Sequence, residues 1–220
     1  MNYLITAAGQ GSRLMSKGIK PPKPLVIIKG IELLIWSLSS FDFTSKDKLY
    51  IVTQKKDRVK QCLLVKIKKL FPHISINWLE LDEIENGQLL TAIKAIEYFS
   101  IKGKILIHNC DTSYKIFQNL EEIDNDYFGA IPYFISQGEN WSFLKTNNGD
   151  DLICEVQEKK RISPKCSVGT YFFRESEELI ELTKKYLLSI NKNSNQELYI
   201  SPIYDYAIKH GKEVLAIKAT

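Results

Sequence analysis

Little in this sequence marks an extracellular, metal–thiolate or membrane protein. Its four cysteines, Cys62, Cys110, Cys154 and Cys166, are widely spaced with no CxxC pair, so neither a zinc site nor a redox motif follows. Buried or unreactive thiols in a reducing cytoplasm are the simpler reading. No apolar run approaches the roughly 20 residues of a bilayer span. The opening MNYLITAAGQGSR has no basic stretch before its apolar run and does not read as a signal peptide. A soluble, cytoplasmic protein without a membrane partner is expected. There is no internal repeat and no low-complexity tract. Neither sign of charge dominates: 30 Lys+Arg against 26 Asp+Glu leave +4. That excess is too small and dispersed to point to nucleic acid. The three histidines, His73, His108 and His210, are scattered, with no His–Asp or Cys–His pairing.

What is present fits an ordinary globular chain. The 220 residues are 44% hydrophobic and 25% charged. That is enough for one domain with a substantial core, and it excludes disorder, collagen-like repeats and a disulfide miniprotein. The first half alternates strand and helix patterns. Strands are predicted at Tyr3–Thr6, Leu25–Ile28, Leu49–Thr53, Ile74–Leu79 and Lys104–His108. Helices are predicted at Glu32–Phe41, Asp57–Leu70 and Gln88–Phe99, with residues 8–22 as a loop. This alternation implies βαβ units and a parallel sheet, with ligands at the carboxyl ends of the strands. The second half predicts strands at Tyr127–Ile135, Trp141–Lys145, Leu152–Gln157 and Ser167–Phe173 without helices between them. Helices at Glu177–Ser189 and Leu198–His210 and a strand at Glu213–Ile217 follow. No linker intervenes, so residues 1–220 read as one domain, with halves 1–125 and 126–220.

Chemistry concentrates in a few places. Ala7-Ala8-Gly9-Gln10-Gly11-Ser12-Arg13-Leu14 follows an apolar strand. Its glycines allow close backbone approach, successive N–H groups can cradle an anion, and Ser12 and Arg13 add phosphate donors. Leu14 stands where GxGxxG needs its third glycine, and no GxxxxGK[ST] is present. A purely structural turn is the bland alternative. Lys23 lies in the stiff Pro21-Pro22-Lys23-Pro24 segment, which limits the entropy lost on engaging a phosphate. Asp111 ends the strand Ile105-Leu106-Ile107-His108-Asn109-Cys110; it could face a ligand at the carboxyl end of the sheet or cap a helix near Ser113. Lys159, in Glu158-Lys159-Lys160-Arg161, could equally be part of a solvated face. His108 reads as a core residue. Glu121-Glu122 and Asp124-Asn125-Asp126 read as solvated loop.

The order of these segments resembles the sugar-phosphate nucleotidylyltransferases. Leu4-Ile5-Thr6-Ala7-Ala8-Gly9-x-Gly11-Ser12-Arg13 followed by Pro22-Lys23-Pro24-Leu25 carries the strongest likeness, and a weaker one extends over most of the chain. The resemblance implies an α/β, Rossmann-like fold. Its central sheet is mostly parallel, with helices on both faces and a small mixed-sheet acceptor lobe. It also implies transfer of a nucleotidyl group from a triphosphate to a phosphorylated sugar or polyol, with release of pyrophosphate. By that likeness Arg13, Lys23 and Asp111 are catalytic, with Asp111 holding Mg²⁺. Ala7, Ala8, Gly9, Gly11, Ser12, Asn86, Gly87 and Gln88 bind nucleotide. Glu158, Lys159, Gly169 and Glu197 bind the acceptor. The acceptor phosphate, whose second pKa is about 6, attacks as an anion and needs no general base. Positioning and charge stabilisation are then the protein's task.

Two features depart from the family's pattern. Gly87-Gln88 replaces a usual Gly-Thr, so base preference does not carry over. No Asp follows the last strand to supply the second metal carboxylate, which leaves a short chain end, Asp205 or Glu197, or a single protein ligand as alternatives. Short chains of this kind resemble cytidylyltransferases of capsule or surface-glycan synthesis, which favours CTP. Acceptors in the family include sugar 1-phosphates, polyol phosphates and phosphocholine. A homodimer is the assembly to look for. A metal-dependent glycosyltransferase is the alternative, although its DxD motif is absent; a nucleotide-sensing module is a third.

Overall fold

Four parallel strands organise the first half because their residues alternate between two buried faces. In the computed structural model, which describes residues 1–116, 120, 123, 126–147, 149–190 and 197–220, these are β1 (Asn2–Ala7), β4 (Lys48–Gln54), β5 (Ser75–Leu81) and β6 (Ile105–Asn109). They lie in the order β5-β4-β1-β6, all parallel. Leu4, Tyr50, Val52, Ile105 and Ile107 face one core, while Ile5, Leu49 and Ile51 face the other. A strand buried on both faces needs helices on both. Helices α2 (Leu33–Leu38) and α3 (Val59–Leu70) cover the second face, and α4 (Gln88–Phe99) covers the first.

The second half extends the same sheet. Strand β11 (Thr170–Phe173) runs antiparallel to β6 and to β7 (Gly129–Ile135). Strand β12 (Val214–Lys218) lies parallel on the other edge of β7. From the far end of β7 the antiparallel strands β10 (Lys165–Ser167), β8 (Ser142–Thr146) and β9 (Ile153–Glu158) continue outward. Helices α5 (Ser176–Ser189) and α6 (Ser201–Lys209) join the α4 face. The mostly parallel sheet with an antiparallel extension agrees with the architecture read from the sequence. Among the described residues no helix is long and apolar enough to cross a membrane.

Several local expectations are corrected. The loop at 8–22 contains a one-turn helix, α1 (Ser12–Met15). The stub at Leu25–Ile28 is a 3₁₀ turn over Lys23–Leu25, after which β2 (Ile27–Ile28) pairs with β3 (Ile31–Glu32). The strand over Ser167–Phe173 is two strands, broken at Val168-Gly169, where Gly169 has φ +77°. The last helix starts at Ser201 because the Leu198 backbone is bonded to the Asn86–Gly87 turn. No helix begins over residues 113–116, so the capping reading of Asp111 has no helix there to cap. Glu121, Glu122, Asp124 and Asn125 lie outside the described residues.

His108 is fully buried on β6. Its Nδ1 pairs with Thr170 Oγ1 at 2.7 Å and its Nε2 with Thr112 O at 3.0 Å. Burial pushes its pKa down to about 4. The unfolded chain takes up this proton below about pH 6.5, whereas the folded chain does so only near pH 4. Stability is therefore full above pH 6.5 and declines as pH falls from there to about 4, at up to ~1.4 kcal/mol per unit. Urea titrations at pH 8 and pH 5 are expected to differ by about 2 kcal/mol from this residue. His108→Gln removes that difference.

Candidate active site

The glycine loop, Lys23 and Asp111 meet at the carboxyl ends of β1 and β6. Ala7 and Ala8 are buried, and Gln54 Nε2 donates to Ala8 O at 2.6 Å, fixing where the chain leaves the sheet. Gly9 is exposed. Gly11, at φ +65°, turns the backbone into α1 and accepts from the N–H groups of Leu14 and Met15. A Cβ on Gly11 would stand 3.5 Å from Lys23 Cβ. Ser12 and Arg13 lie exposed on α1. Pro22 and Pro24 flank Lys23 in its 3₁₀ turn, and its Nζ lies 2.6 Å from Asp111 Oδ2. Both side chains are about one-third exposed, 30% and 35%. Burial lowers the Lys23 pKa, but Cys110 and Asp111 beside it more than reverse this. It stays a cation at neutral pH. Cys110 itself is buried, which pushes its thiol up to about 12; this agrees with an unreactive thiol. Cys166 is buried as well, whereas Cys62 and Cys154 are exposed.

Beside this lies a network of uncharged side chains that sequence reasoning missed. Gln88 Nε2 donates to Thr6 Oγ1 at 2.9 Å and to Asn109 Oδ1 at 2.6 Å. Ser37 Oγ donates to Asn109 O at 2.7 Å. Asn109 N–H donates to Gly169 O at 3.1 Å, and a Cβ on Gly169 would fall 2.2 Å from Asn109 Nδ2. Gly169 is therefore glycine for two reasons, a positive φ and the overlying amide. The only sequence signal for Asn109 is its place two residues before Asp111.

The residues expected at the acceptor end form two linked groups. Glu158 Oε2 accepts from Ser201 Oγ at 2.7 Å and from Ser142 Oγ, with Tyr171 OH 3.3 Å behind Ser142. Burial and the Glu158 charge push the Tyr171 pKa up to about 12. Lys159 adopts φ +56° and donates its N–H to Trp141 O at 2.9 Å. Its Nζ donates to Tyr199 OH at 2.5 Å, and Tyr199 OH donates to Glu197. Lys160 is exposed. Asp205 accepts from Val156 N–H and pairs with Lys209. Among the described residues no cluster of three His, Cys, Asp or Glu groups could cage a metal.

The Asn86–Gly87 turn is bolted to the segment that carries Glu197 and Tyr199. Leu198 N–H donates to Asn86 O at 3.2 Å, and Leu89 N–H to Leu198 O at 3.0 Å. Gly87 has φ +103°, and a Cβ there would meet three Leu198 backbone atoms at 2.3–2.8 Å.

A glycine loop after β1, an aspartate after β6 and an antiparallel extension alongside define a nucleotidyltransferase fold. Solved structures place it more narrowly. A nucleoside-diphosphate-sugar pyrophosphorylase from Vibrio cholerae RC9 is 25% identical, with a TM-score of 0.84 over 99% of this chain and 91% of that one. An inositol-1-phosphate CTP transferase from T. maritima, 16% identical, gives 0.72 over 100% and 86%. A UDP-glucose pyrophosphorylase complexed with UDP-glucose, 14% identical, gives 0.77 over 99% and 89%. These neighbours are all sugar-phosphate nucleotidylyltransferases, and this chain shares their fold, as the sequence resemblance implied. No family model and no curated protein matches it.

Gly87→Ala cannot be relieved by a rotamer change, since the obstruction is backbone. It is expected to cost about 2–4 kcal/mol in urea unfolding, from overpacking and positive-φ strain together. Limited proteolysis is expected to cut first near residues 197–200.

Proposed function

We propose that this chain is a nucleotidylyltransferase that joins a nucleoside triphosphate to a phosphorylated sugar or polyol and releases pyrophosphate. The observation that carries the reading is the Lys23–Asp111 pair, 2.6 Å apart and packed against Gly11 of the glycine loop. The resemblance to solved pyrophosphorylases supports it. We assign residues 1–125 to the nucleotide and 126–220 to the acceptor, working as one cytoplasmic unit. CTP is the favoured triphosphate, and the product is an activated precursor for capsule or other surface-glycan synthesis.

Asp111 suits a magnesium ion. It is a partly exposed carboxylate with one oxygen on Lys23, and no caging cluster surrounds it among the described residues. Mg²⁺ commonly keeps waters and phosphates and takes only one or two carboxylates. When bound it would supply charge neutralisation between phosphate oxygens. The chain's own groups do the rest. The loop amides from Ala7 to Ser12, with Arg13, hold the β- and γ-phosphates. Lys23 leaves Asp111 for the α-phosphate and offsets charge as the acceptor oxygen attacks in line. The Asn86–Gly87–Gln88 turn borders the base. Glu158, Gly169 and Glu197 line the acceptor, and Lys159 exchanges Tyr199 for its phosphate.

A pyrophosphate-release screen of four triphosphates against phosphorylated sugars and alcohols tests this. Release with at least one pair is expected; none with any pair refutes it. Lys23→Ala and Asp111→Asn should each lower kcat about 10²–10³-fold, as loss of one transition-state donor does. Near-normal turnover in either removes its assigned role.

A further inference from the structure

The modest net charge of the chain conceals a strong local asymmetry. Residues 55–69 hold seven Lys and Arg against one acid, Asp57, an excess of six where the whole chain has +4. Everything outside this segment is therefore net acidic. The segment forms a 3₁₀ turn over Lys55–Asp57, then Arg58 and α3. Val59, Leu63 and Ile67 of α3 are spent on the core. Helical spacing then turns Gln61, Val65 and Lys68 outward in one row, with Cys62 and Lys69 beside it, and all five are exposed. Three cations of the segment are paired with acids of other elements: Lys55 with Asp82, Lys60 with Glu80 and Lys66 with Glu32. Lys56, Arg58, Lys68 and Lys69 are exposed and have no ion pair among the described residues. Lys56 and Arg58 line a surface pocket of about 470 Å³ with Lys55, Gln61 and Asp82, so the basic turn and the outer row of α3 are continuous. Aliphatic side chains lie among these cations. Val65 is 78% exposed, and Leu70 at the end of α3 is 51% exposed. Ile27, 64% exposed, stands opposite Glu32 in the β2–β3 hairpin, and Glu32 is bonded to Lys66, so the hairpin borders the same helix.

We propose that the outer face of α3, with the Lys55–Arg58 turn and Ile27, is a docking surface for an anionic lipid bilayer. Six of the seven cations are lysines. These compact point charges suit a diffuse layer of headgroups better than the fork geometry of specific phosphate recognition. Clustered cations on a helix are attracted to an anionic leaflet, at roughly fivefold in affinity per residue. Val65, Leu70 and Ile27 gain nothing from the polar backbone of a nucleic acid. The boundary between headgroups and acyl chains, in contrast, takes up aliphatic side chains set between lysines. The apolar stripe of α3 already faces the core, so the helix rests on the bilayer by its charged side, and among the described residues no helix spans one. Binding is peripheral, reversible and salt-sensitive. It stands independently of the nucleotidyl-transfer reading.

Flotation of the full chain tests this with vesicles of phosphatidylcholine alone and of phosphatidylcholine with about 30 mol% phosphatidylglycerol. Capture by the anionic vesicles is expected at about 0.1 M salt, with release near about 1 M and no capture by phosphatidylcholine. Lys68→Gln/Lys69→Gln should weaken binding about 10- to 30-fold. Lys184→Gln/Lys185→Gln removes the same charge from exposed positions on α5 and should change it less than about twofold. Val65→Asp should also weaken binding, and all three variants should keep the parent's melting temperature, since every altered side chain is exposed. Equal losses from the two double variants would reduce the effect to net charge and overturn the assignment. No capture by anionic vesicles overturns it as well, and so does binding to a DNA duplex in preference to them.

Discussion

The carboxyl edge of this sheet depends on one constraint, the register of β1 against β6. Thr6 stands level with Asn109. The glycine loop and the Asn-Cys-Asp segment consequently leave the sheet side by side, which puts Gly11 and Asp111 within reach of the same lysine. A slip of one residue would turn Thr6 to the opposite face. It would also separate Thr6 from the Gln88 amide that it shares with Asn109. The register is held because Leu4 and Ile5 fill different cores, so neither can take the other's place without exposing both.

The electrostatics follow from that placement. A net charge of +4 says nothing about partners by itself. Its informative part is Lys23, with Arg13 nearby, at the mouth of the loop. Ion pairs with this much solvent access contribute little to stability, so the Lys23–Asp111 contact is a weak staple. It serves better as a holding arrangement. Asp111 helps to keep Lys23 charged and placed, and at this exposure the two groups can part without a large desolvation cost.

The parallel half was legible because its chemistry is local. Apolar spacing and the Asn-Gly entry place α4 at Gln88–Phe99 with both ends correct. The loop after β1, Lys23 and Asp111 follow from residue types that punctuate strand ends. The break at Val168-Gly169 was not legible, since a run from Ser167 to Phe173 reads as one strand. What breaks it is an amide from Asn109, some 60 residues earlier in the chain. The start of α6 was misplaced for a similar reason, as the Leu198 backbone is spent on Asn86 and Leu89. The hydroxyls around Glu158 come from Ser142, Tyr171 and Ser201 on three different elements. No spacing along the sequence encodes such a set.

Long-range contacts of this kind also tie the two halves of the chain together. Lys159 holds a left-handed conformation that a side chain adopts only at a cost of about 1 kcal/mol or more. Trp141 O fixes its backbone and Tyr199 its ammonium. Tyr199 in turn is held by Glu197, and Leu198 between them donates to Asn86 O and accepts from the Leu89 N–H in the first turn of α4. Lys159 and the Asn86–Gly87 turn thus belong to one continuous set of contacts. A strained residue persists where its surroundings over-determine it, and here Trp141, Tyr199 and Glu197 do so, tied to the first half through Leu198. The antiparallel extension therefore gives the parallel sheet a wall that is coupled to the Asn86–Gly87 turn through Leu198.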